Sequence, residues 1–379
     1  MKDNLLLSPG PTKVPREVYD SLGSPIIHHR TPQFQNYLKE AMEGLKEIFQ
    51  TKNDVFIMAS SGTGAMEAAV CNLLSPGDKA ITVEGGKFGE RWTELCKAYQ
   101  VEASVIQVTW GTAVQPQQIK EILDADKDIK AVFVTLCETS TGVKTDIQAI
   151  GEIVKQTNAV LVVDAVSGLG VDDLQADNWH VDIVCSASHK GLMLPPGLGF
   201  ISVSPKAFGL IEQSKNPKYY FDLKKAKKTA DKTDTPFTPA IALVIALTKS
   251  LEIIKKRGLE NSFNHFAKLA QAARESAEAL GLTLFTDPSC RSNAVTAINV
   301  PEGIDGGKFV KTMRDTYGVT MAGGQASLKG KIFRIAHMGC INEQDLIAGI
   351  SCIETVLKEM GYDFEADKGV KAAQVALQV

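Results

Sequence analysis

Four short stretches of this chain carry side chains whose types and spacing can do chemistry. The first, Ser60-Ser61-Gly62-Thr63-Gly64, follows an apolar run and opens a segment of helical period. Such small residues leave the first N–H groups of a helix unpaired and pointing outward, with the positive end of the helix dipole behind them. With the hydroxyls of Ser61 and Thr63 added this is an anion site; a tight turn with a serine N-cap is the plainer alternative. The stretch matches neither the glycine pattern of dinucleotide sites nor that of nucleoside triphosphate loops. The second feature is Asp164, at the carboxyl end of the apolar run 159–163. α/β sheets bind ligands on that rim, so the carboxylate either faces a cationic heteroatom of a cofactor or is a rim or capping charge.

The third feature is Lys190 in Ser186-Ala187-Ser188-His189-Lys190-Gly191, with Pro195-Pro196-Gly197 shortly after. A lysine buried among small residues and prolines holds its proton less tightly, and the neutral amine is a nucleophile or a base. An exposed loop lysine is the commoner fate of this residue type. The fourth is Arg334, inside the otherwise apolar stretch Ile332-Phe333-Arg334-Ile335-Ala336. It needs an anion, either a substrate carboxylate held by both arms of the guanidinium or a structural ion-pair partner. Together the four describe one site. An anion cradle, a strand-end carboxylate, a lysine after a later strand and a carboxylate-binding arginine are what pyridoxal 5'-phosphate chemistry requires. The lysine forms a Schiff base, and the aspartate keeps the pyridine nitrogen protonated.

The elements that must position these groups are legible as two alternating periods. Short apolar runs recur at 55–58, 79–83, 131–134, 160–163, 183–185 and 199–203, and helical patterns fall at 65–74, 91–99, 117–123 and 147–156. Continuous apolar strands alternating with amphipathic helices indicate an α/β fold whose largely parallel sheet is covered on both faces. The runs near 183 and 199 lack an intervening helix and are expected to pair antiparallel. The lysine-rich stretch 224–234 reads as a solvated loop, because no aromatic residues interleave it as a nucleic-acid surface would require. Long helical patterns at 240–256 and 262–280 lead to strand, helix, strand and helix at 294–300, 307–317, 331–336 and 342–360. We expect an N-terminal segment over 1–15, a large domain over 16–258 and a smaller α+β domain over 259–379, with the tail after Tyr362 surface-bound or frayed.

Composition excludes several classes. The 379 residues carry 41 Lys and Arg against 44 Asp and Glu, a net charge of −3, so no overall field draws the chain to nucleic acid or to an acidic membrane. Hydrophobic residues at 44% and charged residues at 22% make an ordinary globular mix. The seven cysteines form no C-x-x-C pair and the histidines show no metal-ligand spacing, so free thiols in a reducing compartment and no metal are expected. Three leucines near the start are too few for a signal-peptide core, and no apolar run approaches the ~20 residues of a membrane span. A soluble, cytoplasmic protein is the expectation.

From Leu7-Ser8-Pro9-Gly10-Pro11-Thr12 to about Gly339 the chain resembles the class V aminotransferases of fold type I, in the alanine–glyoxylate, serine–glyoxylate and serine–pyruvate group. The resemblance rests on Ser61-Gly62-Thr63, Glu138-Thr139-Ser140-Thr141-Gly142, Asp164-Ala165-Val166, Ser188-His189-Lys190, Thr235-Pro236-Phe237-Thr238-Pro239 and Phe333-Arg334-Ile335. It implies that Lys190 is the Schiff-base lysine, Asp164 the pyridinium partner and Val166 the residue beneath the ring. Ser61, Gly62 and Thr63 would bind the phosphate with His189 beside them, and Thr139 would lie near the ring hydroxyl. Thr235 and Thr238 would reach the cofactor of a neighbouring subunit, so a homodimer with shared sites is implied. Arg334, with Gly10, would bind substrate. Phe88 stands where some relatives stack a tryptophan, and Ala336 replaces a glycine of the family. The segment His28-His29-Arg30 resembles one near the dimeric active site of many relatives.

The activity implied is ping-pong transfer of the amino group of a small amino acid, alanine or serine, to a 2-oxo acid, glyoxylate or pyruvate, through pyridoxamine phosphate. Related enzymes use aspartate or 2-aminoethylphosphonate. Cysteine desulfurases share the fold, but the glycine-rich stretch 321–327 holds no cysteine.

Overall fold

The computed structural model describes residues 4–378; residues 1–3 and 379, at the outer ends of the first and last expected segments, lie outside the described residues. Its centre is a seven-stranded sheet made of β1 Asp54–Ser60, β2 Lys79–Glu84, β3 Glu102–Gln107, β4 Ile129–Thr135, β5 Val160–Asp164, β6 Ile183–Ala187 and β7 Gly197–Val203. The spatial order is β1-β7-β6-β5-β4-β2-β3. β7 is antiparallel to both neighbours, β6 and β1, and every other pairing is parallel. The expected pairing of the runs near 183 and 199 is therefore present. Because β7 reverses direction twice over, β1 points the same way as β2 to β6, and six strands present their carboxyl ends on one rim.

The strands read as unbroken apolar runs because both faces are covered. Side chains alternate across the sheet, so Leu161 and Val163 join one core while Val160 and Val162 join the other. Helices α1 Pro32–Phe49, α2 Gly62–Leu73 and α3 Lys87–Ala98 flank the sheet, and α2 and α3 cover the face of Val160 and Val162. β3 was not expected from sequence. It is the edge strand, its side chains are mostly solvent-exposed, and its sequence EASVIQ shows no apolar run.

The lysine-rich stretch expected to be a solvated loop begins as a helix, α4 Leu223–Ala230. The Asp222 carboxylate accepts from the N–H groups of Lys224 and Lys225 at 2.9 and 3.3 Å, Leu223 is buried, and lysine is a good helix former. After α5 Ile241–Arg257 and α6 Leu259–Ala279 comes a second, smaller sheet of β8 Val295–Asn299, β9 Ala322–Gly323 and β10 Ile332–Ala336, with β10 in the middle. It packs with α6 and α7 Glu343–Glu359 into a separate apolar core. Leu7 is buried in that core, whereas Val14 and Val18 belong to the core of the large sheet, so the segment between them crosses the junction.

The tail is neither frayed nor merely surface-bound. Its helix α8, Lys368–Leu377, buries Ala373 and Leu377 in the smaller core. The Glu354 carboxylate accepts from the N–H groups of Asp367 and Val370 at 2.9 and 3.0 Å and so holds the helix start. Among the described residues no helix is long and apolar enough to cross a membrane. All seven cysteines are free, and no cluster of three or more potential metal ligands occurs among the described residues.

Docking of α8 is testable. Ala373→Asp places an unpaired carboxylate at a position with 0% exposure and should cost about 3 kcal/mol. Val375→Asp, two residues on at 77% exposure, should change stability by less than about 0.5 kcal/mol. Thermal unfolding followed by circular dichroism separates the two; equal melting temperatures would mean that α8 does not dock.

Candidate active site

Asp164 is the fifth residue of β5, and alternation puts it on the face of Val160 and Val162, under α2 and α3. α2 starts two residues after β1 ends, and α3 three residues after β2 ends, so both helix N-termini stand on the rim beside that carboxylate. Lys190 lies three residues beyond β6, in a turn of buried small side chains. These connections converge on one cleft with about 440 Å³ of empty space, lined by Ser61, Gly62, Thr63, Phe88, Arg91, Cys137, Asp164, Val166, Ser167, His189 and Lys190.

One end of the cleft is an anion cradle. Ser61 occupies the N-cap position of α2 but makes no side-chain cap bond, which leaves its hydroxyl available. The N–H groups of Gly62 and Thr63 have no partner among the described hydrogen bonds, because the Ser61 carbonyl serves Gly64 and Ala65. His189 Nδ1 is buried without a hydrogen-bond partner. Burial, helped by the Lys190 charge, lowers the His189 pKa to about 4, so the ring is neutral and one nitrogen can donate.

The opposite pair of charges sits deeper. Lys190 is 7% exposed, and its Nζ donates to the carbonyl of Pro9. Burial lowers its pKa from 10.5 to about 8. The Cys137 thiol beside it is pushed far up by burial and stays uncharged at neutral pH, so Asp164 is the anion that opposes this fall. Burial raises Asp164 to about 6, and the Val166 N–H, donating to Oδ1 at 2.8 Å, pulls it back. A cation set against Asp164 would favour the carboxylate and pull its pKa back down.

Arg334, in the middle strand of the small sheet, is 4% exposed. Its Nε and Nη2 donate to the Gly323 carbonyl at 3.1 and 2.7 Å, and Nη1 donates to the Thr139 carbonyl at 2.7 Å. A guanidinium has five N–H bonds, so one on each Nη remains for a carboxylate. Burial lowers its pKa to about 10, and Glu138 opposes that change.

Of the residues singled out from sequence, Ser61, Gly62, Thr63, Phe88, Asp164, Val166, His189 and Lys190 line the cleft together. Thr139 abuts it, with Oγ1 3.4 Å from the Ser167 hydroxyl. Gly10 lies against Lys190: at φ +122° it suits glycine, and a Cβ there would stand 2.5 Å from Lys190 Cε. Thr235 and Thr238 do not reach this cleft; they line a separate apolar groove with Ile57, Met58, Tyr220 and Phe237. Arg30 ties its turn to the same region, pairing with the Asp234 carboxylate and donating to the Thr235 carbonyl, while the rings of His28 and His29 stack at 4.8 Å. Arg91, Cys137 and Ser167 were not anticipated. Arg91 could have been found, since it lies three residues after Phe88 and therefore on the same helix face.

A family described as Aminotransferase class-V matches residues 5–345. Similar proteins include a soluble hydrogenase small subunit of Synechococcus sp., 44% identical over 98% of each chain. The L-aspartate–glyoxylate aminotransferase of Paracoccus denitrificans is 37% identical over 98% of this chain and 95% of its own. The serine–glyoxylate aminotransferase of Hyphomicrobium methylovorum is 37% identical over 97% and 93%. Among solved structures, the ureidoglycine–glyoxylate aminotransferase of Bacillus subtilis superposes with a TM-score of 0.95 at 28% identity, covering 99% of this chain and 98% of that one.

The lowered proton affinity of Lys190 has a direct readout. Reductive methylation of Nζ with formaldehyde, followed by peptide mass mapping, should accelerate as pH rises through about 8 and level off above it. The sign follows from the reactive species being the neutral amine. A rate still climbing at pH 10 would show a solvated, ordinary lysine.

Proposed function

The chain belongs to the class V aminotransferases, and from that footing we propose that it transfers the amino group of a small L-amino acid, alanine or serine, to glyoxylate or pyruvate, using pyridoxal 5'-phosphate. One observation carries the reading: a lysine held largely out of water shares a cleft with a strand-end aspartate and an anion cradle whose donors lack partners. These residues fit the cofactor. Gly62 and Thr63 N–H, the hydroxyls of Ser61 and Thr63, and His189 would hold its phosphate. Phe88 and Val166 would enclose its ring, Asp164 would face its ring nitrogen, and Lys190 would hold it covalently through Nζ.

When bound, the cofactor supplies an electrophilic carbon that accepts the amino group and a ring that takes up electron density from the substrate Cα. The chain's own residues do the rest. Lys190, once displaced, is a base whose pKa of about 8 leaves an appreciable neutral fraction near neutrality, which lets it carry a proton from the substrate Cα. Asp164 stays ionised against a cation and keeps the proton on the ring nitrogen. Arg334 takes the α-carboxylate on its two remaining N–H bonds and thereby fixes which bond at Cα stands perpendicular to the ring. Gly10 keeps the wall beside Lys190 free of a side chain.

Two cores that part near Gly258 support a division into an N-terminal segment, 1–15, a large domain, 16–258, and a small domain, 259–379, with the stretch between Leu7 and Val14 crossing from one core to the other. A homodimer is part of the proposal. The apolar groove holding Thr235 and Thr238 continues to Tyr219 and Tyr220, which are 72% and 46% exposed and would be covered by a second copy. Aspartate is a second donor reading, favoured by the Paracoccus denitrificans relative and by Arg91, which lines the cleft with no carboxylate partner among the described ion pairs.

Lys190→Ala should lose at least about 10⁴-fold in turnover, the scale on which general base catalysis and covalent attachment act. Borohydride reduction of the wild-type protein with its cofactor should fix the cofactor's mass on the Lys190 peptide; an unlabelled peptide refutes the assignment. Mixing the loaded protein with alanine, serine, aspartate or 2-aminoethylphosphonate and following loss of the cofactor's visible absorbance should show the fastest change with alanine or serine. A faster response to aspartate would establish the second reading.

A further inference from the structure

We propose that Glu138 is a positioning residue that locks Phe88, at the face of the cofactor ring, to Arg334, at the substrate carboxylate, so that ring and carboxylate keep one relative orientation. This rests on the cofactor and substrate roles proposed above. No function considered so far uses Glu138, yet it is an acid with 4% exposure whose described hydrogen-bond donors are backbone N–H groups and a hydroxyl, none of them a charged side chain.

Its carboxylate is surrounded by donors. Oε2 accepts from the N–H groups of Phe88 and Gly89 at 3.0 and 2.8 Å, the first turn of α3. Oε1 accepts from the Ser140 N–H at 3.2 Å and from the Ser140 hydroxyl, whose oxygen in turn accepts from the Lys87 N–H at 3.1 Å. The contact is close on every side: a Cβ on Gly86, the N-cap of α3, would stand 2.5 Å from Glu138 Cδ. Burial pushes the acid up, and these four bonds, all made to acceptor oxygens, favour the anion. An anion there also suits the positive end of α3.

The other end of the linkage is the next residue. The Thr139 carbonyl accepts from Arg334 Nη1 at 2.7 Å, and the Glu138 carbonyl closes the turn by accepting from the Gly142 N–H at 2.8 Å. Glu138 also helps hold Arg334 charged against its burial. The start of α3, the 138–142 turn and the substrate arginine are therefore joined through two consecutive residues, Glu138 and Thr139. The aromatic that limits ring tilt and the cation that sets the carboxylate position cannot shift independently. An acid that served stability alone would cap α3 without affecting how substrate sits.

The test is Glu138→Gln. An amide has one acceptor oxygen and a donor NH2 group, so it cannot satisfy four donors, although its shape is unchanged. We expect the dissociation constant for pyridoxal phosphate and the KM for the amino donor each to rise about tenfold, the size of one lost charge-assisted hydrogen bond. kcat should fall by less, and the visible circular dichroism of bound cofactor, which reports ring orientation, should weaken. In the cofactor-free protein, hydrogen exchange of the Phe88 and Gly89 amides should quicken. Ser140→Ala removes one arm and should move the same quantities by a smaller factor, and it serves if the first variant fails to fold. Unchanged KM and dichroism in a folded Glu138→Gln protein, whatever its melting temperature, would reduce Glu138 to a helix cap and overturn the proposal. Failure of the wild-type chain to take up pyridoxal phosphate would sink the function reading, and this inference with it.

Discussion

An amine withdrawn from water without a carboxylate bonded to it is the constraint around which this protein is arranged. The only described hydrogen-bond partner of Lys190 Nζ is a backbone carbonyl, that of Pro9, which offers a dipole where a solvated ammonium would have several waters. Burial therefore makes the charged form expensive and brings the proton affinity toward neutrality. Separate parts of the chain create that burial: the turn after β6, the N-terminal segment crossing between the two cores, and the floor supplied by Cys137 and Asp164.

Asp164 is the complement. Burial moves it in the opposite direction, and the same cleft therefore holds an acid and a base whose proton affinities are both drawn toward neutrality. Each is held in that condition by structure rather than by the other, since their mutual attraction is outweighed by desolvation. A ligand that is anionic at one end and cationic at its ring relieves both ends at once, meeting the unpartnered donors of α2 and giving Asp164 a counter-charge. This is the physical sense in which the site is prepared for such a ligand, with its dipoles in place beforehand.

The substrate side follows a different rule. Arg334 is held by two carbonyls from separate segments, so its plane is set before any carboxylate arrives and its free N–H bonds point where the remaining geometry allows. The Glu138 turn connects this guanidinium to the helix that carries Phe88. Orientation of substrate and orientation of ring are thereby consequences of one packed junction between the large sheet and the small one.

Much of this was legible in the amino-acid order. Unbroken apolar runs identified the strands of a two-sided sheet, and the residue types at their ends identified Ser61, Asp164 and Lys190 as candidates. The edge strand β3 escaped notice because solvent lies along it and its side chains carry no apolar signal. The helix at Leu223–Ala230 and the docked tail were misread because a capping aspartate and a distant glutamate decide them, and hydropathy does not register either. Glu138 stood inside a recognisable motif with no mark of its role, whereas Arg91 was signalled only by its helical spacing from Phe88. Sequence by itself determined which chemical groups exist and on which face of each strand they stand, because alternation and helical period are local properties of the backbone. Only the tertiary structure decided which of those groups are charged, paired or left waiting for a ligand. Desolvation and hydrogen bonding depend on atoms brought from remote parts of the chain, such as the Pro9 carbonyl on Lys190 and the Gly323 carbonyl on Arg334.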